Sequence, residues 1–230
     1  MKRIAVVADI HANKYALRKF LEYINNENIE TILNIGDFLQ IGPNPFEVSE
    51  IILKDNRFIN ILGNNEISLF DIENNCNSEE IRHRKWTREQ LNKNFEIIKK
   101  IPQERIIKIE NKNILMIHSR KNNIKGMPLI YTENIDKFVN DYESFETEIV
   151  LFGHTHEKLY LEHNNKIFIN PGSLGCSKMK TVDFAMLEIN DNKISECKFK
   201  SLEYNKSELI KDYYSSSVPD REFLIKNFYG

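Results

Sequence analysis

The sequence predicts an α/β fold, and three observations carry that prediction. The first third alternates apolar runs with helical segments in the order strand, helix, strand, helix, strand, which calls for a parallel sheet with helices packed on it. The rest of the chain holds three pairs of apolar runs joined by Asn-rich turns, the pattern of β-hairpins. Five of the strands end in a polar cluster, the place where ligands sit in open α/β sheets.

Taken in order, Ile4 to Ala8 reads as a buried strand ending in Asp9-Ile10-His11-Ala12-Asn13. Ala16, Leu17, Phe20, Leu21 and Ile24 then share one helical face, with Asn13 as N-cap. Thr31 to Ile35 is the second strand and ends in Gly36-Asp37. Gly42 to Pro45 forms a turn, Phe46 to Lys54 a helix, and Phe58 to Leu62 a third strand ending in Gly63-Asn64-Asn65-Glu66. Residues 67–102 are polar and helical and read as an inserted layer, either plain packing or a lid. Within it Asp71 to Ser78 reads as an exposed loop. A helix is expected to start at Trp86, with a Thr87/Gln90 capping box and Trp86 stapled onto Leu91. Pro102 closes the segment.

Arg105–Ile109 and Ile114–Ile117 flank Asn111-Lys112-Asn113 as a hairpin, whose second strand ends in His118-Ser119-Arg120. Ile135 to Tyr142 is a short helix. The run Ile149 to Phe152 then stops at Gly153, where the chain can leave the sheet without a side-chain clash, and delivers His154 and His156. Two apart in an extended chain, these imidazoles point the same way. Hairpins follow across Asn164-Asn165 and across Asn190-Asp191-Asn192, the first ending in Asn170-Pro171-Gly172-Ser173. The tail carries helical segments near Leu209 and from Asp220 onward.

The chain has 230 residues, with 32 Lys and Arg against 34 Asp and Glu, so its net charge is −2. That length supports one domain by default or two small ones, and neither a repeat nor a domain boundary is visible. The charge argues against a dedicated nucleic-acid binder but not against an anionic substrate, because a bound cation can supply local positive charge. Cys76, Cys176 and Cys197 are unpaired in spacing and fit a reducing cytoplasm. No stretch approaches a membrane span.

The polar clusters are Asp9/His11, Asp37, Asn64/Asn65, His118 and His154/His156. Each alone has a bland explanation, since Asp9 could cap a helix and Asn64 hold a turn. Five in the same strand-end context make chance a poor account. A set of histidines, two aspartates and an asparagine amide lacks thiolate, so it is no structural zinc knot. It is not the all-oxygen set of magnesium or calcium either. Imidazole with carboxylate suits manganese, iron, cobalt, nickel or zinc. Seven ligands exceed what one ion takes, so two ions about 3.5–4 Å apart with a shared carboxylate are implied.

Asp-x-His, Gly-Asp, Gly-Asn, a lone His and Gly-His-x-His, in that order, resemble the calcineurin-like metallophosphoesterases. Gly36 to Pro45, Trp86 to Leu91, Asn170 to Ser173 and the final Val218-Pro219 helix with Gly230 resemble its bacterial and archaeal branch of phosphodiesterases and diadenosine tetraphosphatase-related proteins. The resemblance covers the whole chain. It implies one domain over residues 1–230, built as a four-layer α/β/β/α sandwich of two facing mixed sheets flanked by helices.

It also implies a first metal at Asp9, His11, Asp37 and His156, and a second at Asp37, Asn64, His118 and His154. Manganese is favoured. A hydroxide bridging the ions would attack phosphorus in line. Asn65 departs from the His that often follows Gly-Asn in the family, and it can donate a hydrogen bond but not a proton near neutral pH. The leading expectation is a phosphodiesterase or dinucleoside polyphosphate hydrolase acting on a small phosphorylated or nucleotide substrate. A serine/threonine protein phosphatase or general monoesterase is the alternative, and a non-catalytic scaffold the third reading. Arg120, Lys121 and Lys125 follow His118 in a loop that could grip the substrate anion or simply be solvated.

Overall fold

Successive strand residues face opposite ways, and the N-terminal strand is apolar on both faces. Ile4, Val6 and Ala8 enter one buried cluster while Ala5 and Val7 enter another. A strand buried on both sides needs a layer on each, and this sets the architecture.

The computed structural model describes residues 1–74, 77–120, 135–190 and 193–230. Its elements run β1 (Lys2–Val7), α1 (Lys14–Asn26), β2 (Ile32–Asn34), α2 (Pro45–Lys54), β3 (Phe58–Asn60) and α3 (Asn64–Ser68). Next come α4 (Ser78–Leu91), α5 (Asn94–Ile98), β4 (Glu104–Ile109), β5 (Lys112–Ile117), α6 (Ile135–Asn140) and β6 (Ile149–Leu151). The chain continues through β7 (Lys158–His163), β8 (Lys166–Pro171), β9 (Thr181–Asn190), β10 (Lys193–Glu203), α7 (Lys206–Ser215) and α8 (Arg221–Phe228).

One sheet has the order β10-β9-β1-β2-β3 and the other β4-β5-β6-β8-β7. Both are mixed. In the first, β1, β2 and β3 are parallel and β9 and β10 antiparallel. In the second, β5, β6 and β8 are parallel between antiparallel β4 and β7. Ile4, Val6 and Leu187 of one sheet meet Met116, Leu151 and Ile169 of the other in a shared core. Leu17, Phe20 and Val48 of α1 and α2 cover the outer face of the first sheet. Phe138 and Val139 of α6 cover the outer face of the second, packing on Val150 of β6 and Phe168 of β8. The result is the expected α/β/β/α sandwich of two facing mixed sheets.

Asn13 caps α1 as expected, its Oδ1 accepting from Ala16 N at 3.0 Å, a contact typically worth about 1 kcal/mol. The region between β3 and β4 departs from its reading. α4 starts at Ser78, where the Asn77 side chain accepts from Glu80 N. Trp86 and Thr87 therefore lie inside the helix, and no capping box forms at Thr87. Trp86 and Leu91 bury into separate clusters, so the staple does not form either. Tertiary burial of Trp86 against Tyr213, Leu224 and Tyr229 overrides the local start signal. The first hairpin turns earlier than expected, at Glu110, which takes a positive φ of 52°. β10 pairs with β9 along its length, to Glu203. Of the third hairpin's turn, residues 191–192 lie outside the described residues, as do Lys121 and Lys125.

Candidate metal centre

Every parallel strand end carries its polar cluster to one place. Asp9 and His11 follow β1, Asp37 follows β2, Asn64 opens the helix after β3, His118 follows β5, and His154 and His156 follow β6. Parallel strands put these ends on one edge of each sheet, and the two edges meet.

The backbone makes the convergence. Asp9, His11, Asp37, His154 and His156 all have positive φ, between 47° and 69°. His154 and His156 are thus turned into the site by left-handed residues, not by strand alternation as the sequence reading assumed; β6 already ends at Leu151. A Cβ at Gly63 would stand 2.0 Å from Asp37 Oδ1, so only glycine lets β3's end approach that carboxylate. Asn170, near the end of β8, donates to Gly153 O and Thr155 Oγ1 at 2.9 Å each, and Ser173 Oγ donates to Asp9 O at 2.9 Å. These bonds tie the histidine loop and the aspartate loop to a common post.

Asp9 and His118 are fully buried, and Asp37 and His11 nearly so. Asp9 Oδ1 has His156 Nε2 at 3.4 Å, His11 Nε2 at 3.7 Å and His118 Nε2 at 3.9 Å around it. None of these nitrogens makes a hydrogen bond to it. Asn64 Oδ1 and His118 Nε2 are likewise buried without a hydrogen-bond partner. His118 Nδ1 donates to Ile35 O at 2.7 Å, which leaves its Nε2 facing Asp37 Oδ2 at 3.2 Å. Asp9, His11 and Asp37 bring ligand atoms within 4.8 Å of one another, and so do Asp37, His118 and His154. Buried, orphaned donor atoms of carboxylate, amide and imidazole type are what a divalent transition-metal ion fits.

The electrostatics agree. Burial works to raise the Asp37 carboxyl, but His118 outweighs it and holds it well below the usual carboxylate range. Burial opposes Asp9 in the same way, and His156 and His118 hold it below normal. Burial would lower the His118 imidazole, yet the Asp37 and Asp9 carboxylates push it up to about 10. His156 is raised against burial by Asp9. Burial, then His156, depresses His11 to about 4, and burial, then His118, lowers His154. Two buried carboxylates thus draw positive charge into the site.

Two residues with structural weight here escaped the sequence reading. Glu66 is fully buried, and its carboxylate accepts from Asp37 N (2.8 Å), Leu39 N (2.8 Å) and Gly63 N (2.9 Å). Burial and the Asp37 charge push it up to about 8. Its only sequence signal was its place directly after Gly63-Asn64-Asn65. Cys176 comes within 4.8 Å of the ligand nitrogens of His11 and His156, with burial raising its thiol above the usual range. Asn65 donates its backbone N–H to Asp37 Oδ1 at 2.9 Å and its side-chain amide to Asp37 Oδ2. Arg120 lies with its Nε 2.9 Å from Asp141 Oδ2, off the cavity walls.

The centre opens into a cavity of about 520 Å³, floored by His11, Asp37, His154 and His156. α4 contributes Glu79, Glu80, His83 and Arg84 to one side, and α8 contributes Phe223 and Phe228 to another. Among the described residues no helix is long and apolar enough to cross a membrane.

Comparison with known proteins agrees with this picture. A family model described as calcineurin-like phosphoesterase superfamily domain matches residues 1–192. An uncharacterized protein of Methanocaldococcus jannaschii is 27% identical over 214 residues, covering 83% of this chain and 84% of its own. A phosphodiesterase of the same archaeon is 23% identical over 170 residues, covering 74% and 82%. The crystal structure of a metallophosphoesterase from Sphaerobacter thermophilus superposes with a TM-score of 0.77 at 21% identity, covering 98% of each chain.

Proposed function

Because the chain belongs to the calcineurin-like phosphoesterase superfamily, we propose that it hydrolyses phosphodiesters at a centre for two divalent cations. Asp9, His11, Asp37 and His156 would hold one cation, and Asp37, Asn64, His118 and His154 the other, with Asp37 shared. We favour manganese, with iron, zinc, cobalt and nickel as alternatives that the mixed imidazole and carboxylate set also suits. When bound, the pair supplies acidified water and positive charge against the phosphoryl oxygens. The observation that carries the reading is Asp9 Oδ1, buried and without a hydrogen bond inside a ring of three imidazole nitrogens.

The chain's own groups do the positioning. His118 is locked by Ile35 O so that its Nε2 faces inward. Glu66 fixes the loop that carries Asp37 through three backbone N–H bonds. Asn65 steadies both oxygens of Asp37 and cannot pass a proton to a departing oxygen near neutral pH. A general acid is typically worth about 10²–10⁴-fold, so the substrate needs a weakly basic leaving group. Activated diesters meet this need, and alkyl monoesters such as phosphoserine do not. The phosphodiesterase relative supports the same class. Phosphoanhydrides such as dinucleoside polyphosphates also leave easily and form the second reading. Arg120, paired with Asp141, would reach a substrate anion only by giving up that carboxylate.

The test is turnover of bis-p-nitrophenyl phosphate with manganese, together with metal analysis of protein purified without chelator. About two ions per chain and turnover abolished by Asp37→Asn, with metal content reduced, are expected. Metal binding without turnover would favour a scaffold. Phosphoserine hydrolysis as fast as diester hydrolysis would favour a monoesterase.

A further inference from the structure

The cavity beside the metal centre has a wall that the phosphoryl chemistry does not use. Pro219, Phe223, Leu224 and Phe228 from the C-terminal segment line it together with Ile41 and α4. All four lie beyond residue 192, where the family match ends. This segment is held firmly to the site's own loops. Tyr213 OH donates to Ile41 O at 2.8 Å, and Asn44 Nδ2 donates to Asp212 Oδ2 at 2.7 Å. Trp86 Nε1 donates to Ser217 Oγ at 3.1 Å, and Arg82 pairs with Asp220 at 3.1 Å.

Phe223 is 64% exposed although it stands in a well-formed cavity. A large aromatic face held open beside a catalytic centre is surface in want of a ligand. Glu79 and Glu80, from the first turn of α4, line the same cavity. Arg84, which lines the cavity, and its neighbour Arg82 are already engaged. Arg84 donates to Ile72 O and Asn74 O at 3.1 Å each and lies 3.5 Å from Glu80 Oε2, and Arg82 lies between Asp220 and Glu79. A chain of further phosphates would therefore meet carboxylates here, with both guanidinium groups committed. A flat ring with N–H donors on its edge meets complementary chemistry: its faces can stack on phenyl rings and its amino groups can donate to carboxylates.

We infer that α4 and α8 form a nucleobase subsite, so that the diester cleaved at the metal centre carries a nucleoside. Phe223 and Phe228 are its specificity-determining platform and Glu79 and Glu80 its acceptors. A volume of about 520 Å³ is in the range that holds a nucleotide-sized ligand. This inference rests on the phosphoryl-binding reading of the centre.

The test measures binding without turnover. Calorimetric titration of manganese-loaded protein with adenosine 5′-monophosphate and with ribose 5-phosphate compares ligands that share the phosphate and differ in the base. The base is expected to tighten binding about tenfold, within the range for one base stacked on an aromatic side chain. Phe223→Ala, which trims an exposed side chain, is expected to close most of that gap. Equal affinities in the wild type, binding of neither ligand, or a gap that survives Phe223→Ala would overturn the subsite. A base-dependent gap without diester turnover would defeat the phosphodiesterase reading alone. Turnover without a gap would defeat the subsite alone.

Discussion

His11 and His156 face each other Nε2 to Nε2 at 3.1 Å, with ring centroids 5.0 Å apart. Two imidazoles in that relation either share one proton or turn their lone pairs toward a common cation. Without a cation, the depressed His11 and the raised His156 fit the shared proton; a cation beside the unsatisfied Asp9 Oδ1 would displace that proton and turn both lone pairs toward itself. The pair joins the loop after β1 to the loop after β6, so a cation there fastens one sheet to the other.

Manganese added to chelator-stripped protein is therefore expected to raise the melting temperature. At a hundred times Kd a ligand of the native state contributes about 2.7 kcal/mol, which for a chain of this size is ~5–10 °C. His11→Ala is expected to lose at least half of that shift. Scanning fluorimetry with and without manganese checks it, and superposable melts would remove the metal assignment.

Glu66→Gln is expected to destabilise the protein by about 2 kcal/mol, because the amide turns N–H groups toward a backbone N–H that needs an acceptor. Diester turnover should fall with it as the Asp37 loop loosens. Urea unfolding and kinetics on the same preparations check both effects. An unchanged midpoint would mean that Glu66 is held in its protonated form and does not carry the loop.

His83 makes a pH prediction. Burial depresses its imidazole to about 4, with Asp220 opposing, and its Nε2 accepts from Ile41 N at 2.9 Å. Only the neutral ring can accept that bond. The unfolded chain binds the proton near 6.5 and the folded chain only near 4, so between these values the unfolded state holds more protons. The contribution is complete above 6.5, is lost as the pH falls toward 4, and amounts to about 3 kcal/mol. His83→Gln keeps an acceptor without the titration. It is expected to show a shallower decline in unfolding free energy between pH 7 and pH 4.5; parallel declines would contradict the assignment.

Asn65→His is expected to raise the rate on an alkyl monoester selectively, by restoring a group that can protonate the leaving oxygen. Rates on phosphoserine and on bis-p-nitrophenyl phosphate give the readout. If both rates move together, the substitution has acted through the hydrogen bonds to Asp37, and the leaving-group argument fails.

Most of the framework could be read from residue order. Ile4 to Ala8, Ile114 to Ile117 and Ile149 to Phe152 are apolar on both faces, and Asp9, His118 and, one glycine later, His154 follow them, so buried strands with a loaded end followed directly. The metal-ligand candidates were visible for the same reason. Glu66 was not, because its role comes from accepting three N–H groups of two loops that only the folded chain brings together. The α4 start was misplaced because Thr87 and Gln90 mimic a local capping pattern, while the burial of Trp86 against α7 and α8 is decided far away in the sequence. The short tail helix could be recognised as a helix. Which wall it builds depends on tertiary bonds such as Arg82 to Asp220 at its start, and no periodicity encodes those.

The left-handed backbone at Asp9, His11, Asp37, His154 and His156 restricts what evolution can write at this site. Among residues with a side chain, aspartate, asparagine and histidine tolerate that conformation best. Glutamate or cysteine could serve a cation as well but would fit the turns poorly. If the proposed ions bind here, each of these positions is constrained twice, once by the ion and once by the handedness of the chain. A change of metal preference would then come more easily at Asn64 or at the nearby Cys176, which take no such turn, than at the five themselves.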